Sequence, residues 1–448
     1  MDQKTQKNLR DLARLSPAST VYVVGGTLRD YFLGKTPADF DFAVQNAPRL
    51  AELFAAHIKR HPIRLHDTPG RETLRVVMSG GVFFDFSEMQ GNKIQQDLAG
   101  RDFTINAMAV PLEEYLEADW KPLDPFKGRA DLERKIVRVL PGPIFKSDPL
   151  RVIRAFRFSG TLGFDIEDNT LDKIAEAHTG LKFVAAERIA NELLLFLNSK
   201  KVFPLARVMS RTGVLGQLIP AIHAPGGNPA KARETLETLE SLEEIILHPA
   251  KVFPDKFPGV ERYLEGNKPG LLKLAALSYP LNEEKKSSAG AAAAAFLKNL
   301  RLSNADIRFI RAVLEHQQTA LTTKLDFAGP ARDLSRIYSF VKNSGAQLVP
   351  ALLLAAARLA RSGENDIDSF IRAIHNLVEF FQRRYLPAQG QRALLTGDDL
   401  IRQFNLSPSP VFKTILDRVE EARVLGSITT REEAEALARR LIQTLAQA

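Results

Sequence analysis

The chain has 448 residues, 45% apolar and 25% charged, which excludes long disorder and leaves room for more than one packed domain. Its formal charge is +8, from 61 Lys plus Arg against 53 Asp plus Glu, which fits a polyanionic partner, nucleic acid above all, or a generally basic protein without one. It has no cysteine, which excludes disulfides, thiolate catalysis and Cys-ligated zinc and fits a reducing compartment.

The opening stretch MDQKTQKNLRDLARLS is too charged for a signal peptide. TVYVV (Thr20 to Val24) is β-branched and ends at Gly25-Gly26, so it reads as a buried strand. Helices are expected over Thr27 to Phe32 and Pro48 to His57, the second with proline at a tolerated first position. FDFAV (Phe40 to Val44) is a second strand. TLRVVM (Thr73 to Met78) and GVFFDF (Gly81 to Phe86) flank Ser79-Gly80-Gly81 as a hairpin. RKIVRVL adds a further strand near Leu140, after which none is expected.

From about Pro149 the period changes. LRVIRAFRFSGTL, NTLDKIAEAH and AERIANELLLFL place apolar residues at i, i+3, i+4 and i+7. HAPGGNPAK (His223 to Lys231) reads as a linker, and LNEEKKSSAG (Leu281 to Gly290) as a polar loop. The alanine-rich helix after that loop has Ser287 or Ser288 as candidate N-cap. YLPAQGQ (Tyr385 to Gln391) reads as another joint. The longest apolar run, LVPALLLAAARLA (Leu348 to Ala360), is shorter than the roughly 20 residues a bilayer span needs. The expectation is a soluble cytoplasmic protein with no membrane partner. Its fold class is α+β, a mixed-sheet head followed by an all-α neck, body and tail.

The chemistry concentrates in VYVVGGTLRDYFLGKTPADFDFAV. Gly25 and Gly26, between a strand and a helix, offer backbone N–H groups to a phosphate, and Arg29 one turn later adds a forked donor. Asp39 and Asp41 lie at i and i+2 of a strand and so share a face. Two adjacent carboxylates repel unless a cation neutralises them, and Mg²⁺, which prefers one or two carboxylates plus phosphate oxygens, is the fitting guest. Two such ions can activate a hydroxyl and stabilise a leaving pyrophosphate, and the rival reading is a salt-bridged structural pair.

GGTLRDYFLG followed by DFDFAV resembles the head signature of the DNA polymerase β nucleotidyltransferase superfamily. The nearest likeness is the branch holding class II tRNA nucleotidyltransferases and bacterial poly(A) polymerases. RDFTINAMAV (Arg101 to Val110) is similar to that family's NTP- and ribose-binding motif. LDPFKGRADLERKIVRVL (Leu123 to Leu140) is similar to its hinge. SDPLRVIRAFRFSGTLGF (Ser147 to Phe164) resembles its nucleobase-selecting helix, and AAERIANELLLFL (Ala185 to Leu197) the helix that steadies it.

The resemblance implies a catalytic head over 1–145, a neck carrying base selection over 146–222, a body over 223–385 and an RNA-holding tail over 386–448. It implies Asp39 and Asp41 as Mg²⁺ ligands and Asp85 as a third catalytic carboxylate, with a solvent-facing residue of an alternating strand as the rival reading of Asp85. It places Gly25, Gly26, Arg29, Arg101, Asp102 and Asn106 at the NTP, and Arg154 and Arg157 at triphosphate or RNA. Asp148 and Arg151, three apart on an expected helix, would share a face and read the base edge of cytosine or adenine, with an ordinary i,i+3 surface ion pair as the rival reading. Glu187 and Arg188 would buttress that helix.

Four departures stand out. Gly100 stands where relatives carry a second arginine before Arg101-Asp102. Ser147 stands where the family has Glu, which bears on how firmly Arg151 is held and so on fidelity. Ser278 and Tyr279 replace the His-Asp pair of an HD phosphohydrolase segment, with His248 and His316 near other histidine positions; the expectation is a helical body without phosphohydrolase activity. The stretch between Asp85 and Arg101 is short, which resembles the CC-adding subset that lacks a flexible loop.

The implied function is template-independent addition of C, A or both, from CTP and ATP, to the 3′ end of tRNA. Poly(A) polymerase is the rival within the class. A noncatalytic RNA-binding homologue is the rival from another class. No aromatic-rich single-strand platform is visible in the sequence, so RNA recognition is expected through tRNA shape and phosphates.

Overall fold

The computed structural model describes residues 2–16, 21–37, 39–66, 68–117, 119–219, 229–254, 260–281, 291–322, 333–361 and 364–446. It divides into two compact units, Met1–Leu218 and Ile219–Ala448.

The first unit is built on a six-stranded mixed sheet in the order β3-β4-β5-β2-β1-β6. Its strands are β1 (Tyr22–Val24), β2 (Asp39–Val44), β3 (Pro62–His66), β4 (Thr73–Val77), β5 (Phe83–Glu88) and β6 (Ala109–Pro111). Only β2 and β5 run parallel; the remaining pairs are antiparallel. The hairpin expected at Ser79–Gly81 joins β4 to β5. Two strands were not legible. β3 is an exposed edge strand whose apolar Ile63 and Leu65 face solvent, and β6 is three residues long. A two-residue strand, β8 (Asp165–Ile166), pairs with β7 (Ile136–Val137), so pairing continues past Leu140.

Helices α1 (Gln3–Leu15), α2 (Gly26–Phe32), α3 (Ala47–His57), α4 (Ile94–Ala99), α5 (Leu112–Tyr115) and α6 (Gly128–Arg134) belong to the head. Helices α7 (Ile144–Ser147), α8 (Arg151–Leu162), α9 (Asp168–Ala177) and α10 (Ala186–Leu197) follow it.

Alternation along β2 and β5 sorts their two faces. Phe40, Phe42, Phe84 and Phe86 point into the core, where Phe54 of α3 stacks on Phe84 at 5.4 Å. Asp39, Asp41 and Asp85 occupy the opposite face, with Asp41 and Asp85 in register. A face buried by five phenylalanines fixes the strand register, because a one-residue slip would drive the aspartates into the core.

The second unit is helical among its described residues. Leu348–Leu359 is its central helix, buried along nearly its whole length between Pro229–Leu247 and Asn304–Thr322. Among the described residues one run, Leu334–Leu359, is long and apolar enough to cross a membrane, yet 72% of its most apolar window is buried within the protein. The tail helices Gly397–Phe404, Pro410–Leu425 and Arg431–Ala446 share a small core of Leu400, Ile415, Val419 and Ala438. Of the linker expected over His223 to Lys231, residues 223–228 lie outside the described residues, as do the candidate caps Ser287 and Ser288, while its last three residues are already helical because they open the helix Pro229–Leu247. At the expected joint the backbone stays helical as far as Gln389.

Candidate active site

A cleft of about 780 Å³ opens on the aspartate face of the sheet. All thirteen residues singled out above line it, from Gly25 and Gly26 through Asp39, Asp41 and Asp85 to Arg157.

Its first wall is made by β2 and the start of α2. Gly25 has φ +64°, and a Cβ there would lie 3.0 Å from Arg101 Nη1 and 3.1 Å from Asp41 Oδ2, so only glycine fits. The Gly26 N–H donates to Asp41 Oδ2 at 2.9 Å. Thr27, fully buried, ties helix to strand: its hydroxyl accepts from the Asp41 N–H at 2.7 Å and donates to the Asp39 carbonyl at 3.2 Å. Burial pushes both carboxyls above the ordinary aspartate value. The neighbouring Asp85 adds to this, while Arg75 opposes it at Asp39 and Arg101 at Asp41.

Asp85 lies beside Asp41 but is not free. Arg75 of β4 grips both its oxygens, Nε at 2.8 Å and Nη2 at 2.7 Å. Among the described residues, no three acidic or histidine side chains converge as a metal cage. Asp85 does not face open solvent: it lines the cleft and its side chain is only 13% exposed. Arg75 was legible only as an alternating strand residue, and the register Arg75–Asp85 is what reveals its role.

The second wall is a chain of ion pairs. Arg29 donates to Asn106 Oδ1 at 2.9 Å and to Asp30 at 3.0 Å. Asn106 Nδ2 donates to Asp102 Oδ1 at 3.0 Å. The other Asp102 oxygen accepts from Arg154 Nε at 2.9 Å and Nη2 at 2.7 Å. Arg154 continues to Glu192 of α10 at 3.1 Å, and Glu192 accepts from Arg157 at 2.6 Å. Asp102 is buried, yet Arg154 and Asn106 outweigh the burial and hold its carboxyl down at about 2. With both oxygens occupied, Asp102 has less to offer a ribose hydroxyl than its type suggested. Glu192 was read only as part of a steadying helix; its spacing on α10 gave no sign that it bridges two arginines. Arg101 is held from behind by Asp97 at 3.0 Å, another buried carboxylate missed in the sequence.

Asp148 and Arg151 correct the expectation of a shared helix face. Asp148 precedes α8 in extended conformation, φ −148° and ψ 97°, because Pro149 disfavours a helical residue before it. The two side chains do not pair. Asp148 accepts from Arg188 of α10 at 2.9 Å. Arg151 donates to the carbonyls of Arg101 at 3.0 Å and Gly100 at 2.8 Å. Ser147 turns back on Ile144 O, so what holds Arg151 is the loop backbone and not position 147.

The segment between β5 and α4 is only residues 89–93. It is stapled: Gln96 Oε1 accepts from the N–H groups of Asn92 and Lys93, the Gln90 N–H donates to Asp97, and Gln45 donates to the Gly91 carbonyl.

In the second unit, Ser278 is fully buried and donates to the Ala275 carbonyl. The Tyr279 hydroxyl donates to Glu234 at 3.2 Å, and Arg358 lies over its ring at 4.3 Å. His316 packs edge-on against Phe340, whereas His248 is exposed beside Glu244. Nearby, Lys273 and Glu243 form a buried ion pair of 2.7 Å.

Three sequence profiles match successive parts of the chain. The Poly A polymerase head domain covers residues 21–138, the "Probable RNA and SrmB-binding site of polymerase A" covers 163–224, and tRNA nucleotidyltransferase domain 2 covers 275–437. A CC-adding tRNA nucleotidyltransferase of Geobacter sulfurreducens is 30% identical over 419 residues, 92% of this chain and 90% of that protein. One from Synechocystis is 27% identical over 441 residues, 96% of this chain and 95% of that one. The fold is that of a CCA-adding enzyme solved with ATP, at TM-score 0.70 and 23% identity, covering 100% of this chain and 95% of that one. The chain therefore belongs to the tRNA nucleotidyltransferase family, in the branch it shares with poly(A) polymerases.

Proposed function

We propose that this protein adds cytidine from CTP to the 3′ end of tRNA, ending at CC, with release of pyrophosphate in the cytoplasm. The observation that carries the CC reading is the stapled five-residue connection at 89–93, too short for a flexible loop between β5 and α4. The near full-length likeness to two CC-adding enzymes supports it.

The first wall fits Mg²⁺ by the chemistry of its donors. Asp39 and Asp41 offer hard oxygens on one face, and their raised carboxyl values mark a site short of positive charge. Asp39 and Asp41 would hold the ion, which when bound supplies charge neutralisation at the reacting phosphate. Asp85, gripped by Arg75, acts as electrostatic support to Asp41. Gly25 and Gly26 admit the triphosphate close to the backbone, and Arg29, Arg101, Arg154 and Arg157 face its charge. Asp148 accepts from the exocyclic amine of cytosine while Arg151 donates to the adjacent ring acceptors; uracil presents the reverse pattern and leaves buried groups unpaired.

The test uses purified protein, tRNA transcripts lacking CCA or ending in CC, and single labelled NTPs. Two cytidines and no adenosine are expected. Incorporation of A on the CC-ended transcript would sink the CC reading. Long A tails on unstructured RNA would favour poly(A) synthesis, and RNA binding without incorporation would favour the noncatalytic homologue.

A further inference from the structure

A second cavity, about 370 Å³, adjoins the active-site cleft: Lys35 and Thr36 line both. Its wall is aromatic. Tyr31 at the end of α2 meets Trp120 at 4.8 Å and Tyr115 of α5 at 6.4 Å, and Tyr115 meets Trp120 at 5.3 Å. Phe32 closes the cluster edge-on to Trp120 at 5.7 Å, with the Arg129 guanidinium over its ring at 5.4 Å. Tyr115 is buried and anchors the group, whereas Tyr31 is 48% exposed. Among the described residues the Lys35 ammonium has no ion-pair partner; Glu117 is the acidic group lining the cavity. None of these aromatics serves the chemistry described above.

We propose that the Tyr31–Trp120 shelf stacks an unpaired nucleotide at the 3′ end of the tRNA, with Lys35 facing its phosphate, and so positions the attacking strand beside the Asp39–Asp41 wall. This rests on the tRNA reading given above. An accessible aromatic face next to a free cation is the pairing that single-stranded nucleic acid uses, since every base has a π-face and every phosphate a charge. The shared Lys35–Thr36 rim makes the shelf continuous with the cleft, so a strand lying on it enters from the side of the acidic wall. Such a shelf would add base stacking to recognition through tRNA shape and phosphates, and it is assembled from residues about ninety positions apart in sequence, which no local pattern exposes.

Trp120 is the only tryptophan, so its emission reports on the shelf directly. The full chain, without nucleotide, is titrated with two tRNA transcripts. One ends in a single unpaired nucleotide; the other is trimmed to a blunt acceptor stem. Both should bind, and only the first should quench Trp120; CTP alone should leave the emission unchanged. Tyr31→Ala should raise KM for tRNA about tenfold and leave KM for CTP within about twofold, and Tyr31→Phe should restore the tRNA value. Equal quenching by the blunt transcript, or a wild-type KM for tRNA in Tyr31→Ala, would overturn the proposal and leave the cluster as packing only. Should Tyr31→Ala fail to fold, the wild-type titration decides alone. Loss of the tRNA reading itself looks different: wild-type protein would then incorporate CTP into neither transcript.

Discussion

On the acidic wall of the cleft, Asp39 and Asp41 share one face with Asp85, and burial holds the first two carboxyls above their ordinary range. On the opposite wall, Asp102 and Glu192 are more deeply buried, yet each accepts from arginine, and Asp102 is held at about 2. Both walls take carboxylates partly or wholly out of water, and the difference is where the positive charge comes from. The arginine wall is complete within the chain and so is preorganised before substrate arrives. The aspartate wall is left short of positive charge, and the proposed cation site rests on that deficit. Within the first wall Arg75 draws the line: it neutralises Asp85 and leaves the Asp39–Asp41 pair open.

This contrast can be broken experimentally, most sharply at Asp41. Asp41→Ala should lower CTP incorporation about a thousandfold or more while tRNA binding, read by filter retention, stays within about threefold. Unchanged incorporation would mean the acidic wall is structural.

Arg154→Ala tests the arginine wall through stability. It strands Asp102 and removes one of the two arginines on Glu192, so the urea midpoint should fall by an amount equivalent to about 3 kcal/mol. A fully stable variant would show that the ion-pair chain contributes nothing to the fold.

Arg151→Lys tests selection rather than stability. The lysine ammonium cannot make both contacts that the guanidinium makes to Gly100 O and Arg101 O. Discrimination of CTP against UTP, measured as a ratio of kcat/KM, should fall about ten- to a hundredfold.

The pH dependence of stability should also separate the walls. Asp102 titrates near 2 in the folded chain against an ordinary 3.8, so its stabilisation is complete above 3.8 and lost as pH falls towards 2. That loss amounts to about 2 kcal/mol, and Asp102→Asn should flatten that part of a denaturation series. Asp41 has the opposite sign. Its folded value is raised, so its ionised form weakens the fold at neutral pH and the cost is relieved as pH drops through that value. Asp41→Asn should therefore raise the thermal midpoint by roughly a few degrees while losing activity. A lowered midpoint would contradict the charge deficit.

Much of the acidic wall was legible in the sequence. A Gly-Gly turn after an apolar run and two aspartates alternating with phenylalanine are local patterns, and period-2 geometry turns them into one functional face. The arginine wall was legible in membership but not in wiring. Arg154 and Arg157 were named for substrate, but their partners Asp102 and Glu192 lie 52 and 35 positions away. Asp148 was misplaced on a helix although Pro149 follows it, a local signal that was available.

What the sequence determined by itself is the chemistry: the residue types, the strand face carrying the aspartates and the change to helical period near Pro149. Local spacing encodes these because backbone geometry alone sets which neighbours share a face. What only the tertiary structure decided is the pairing of charge. Arg75 takes Asp85 through strand register, Arg151 is held by the loop carbonyls of Gly100 and Arg101, and Tyr31 and Trp120 meet beside the cleft. Ion pairs and ring contacts act over a few ångströms in space and are indifferent to separation along the chain, so the fold has to close before they exist.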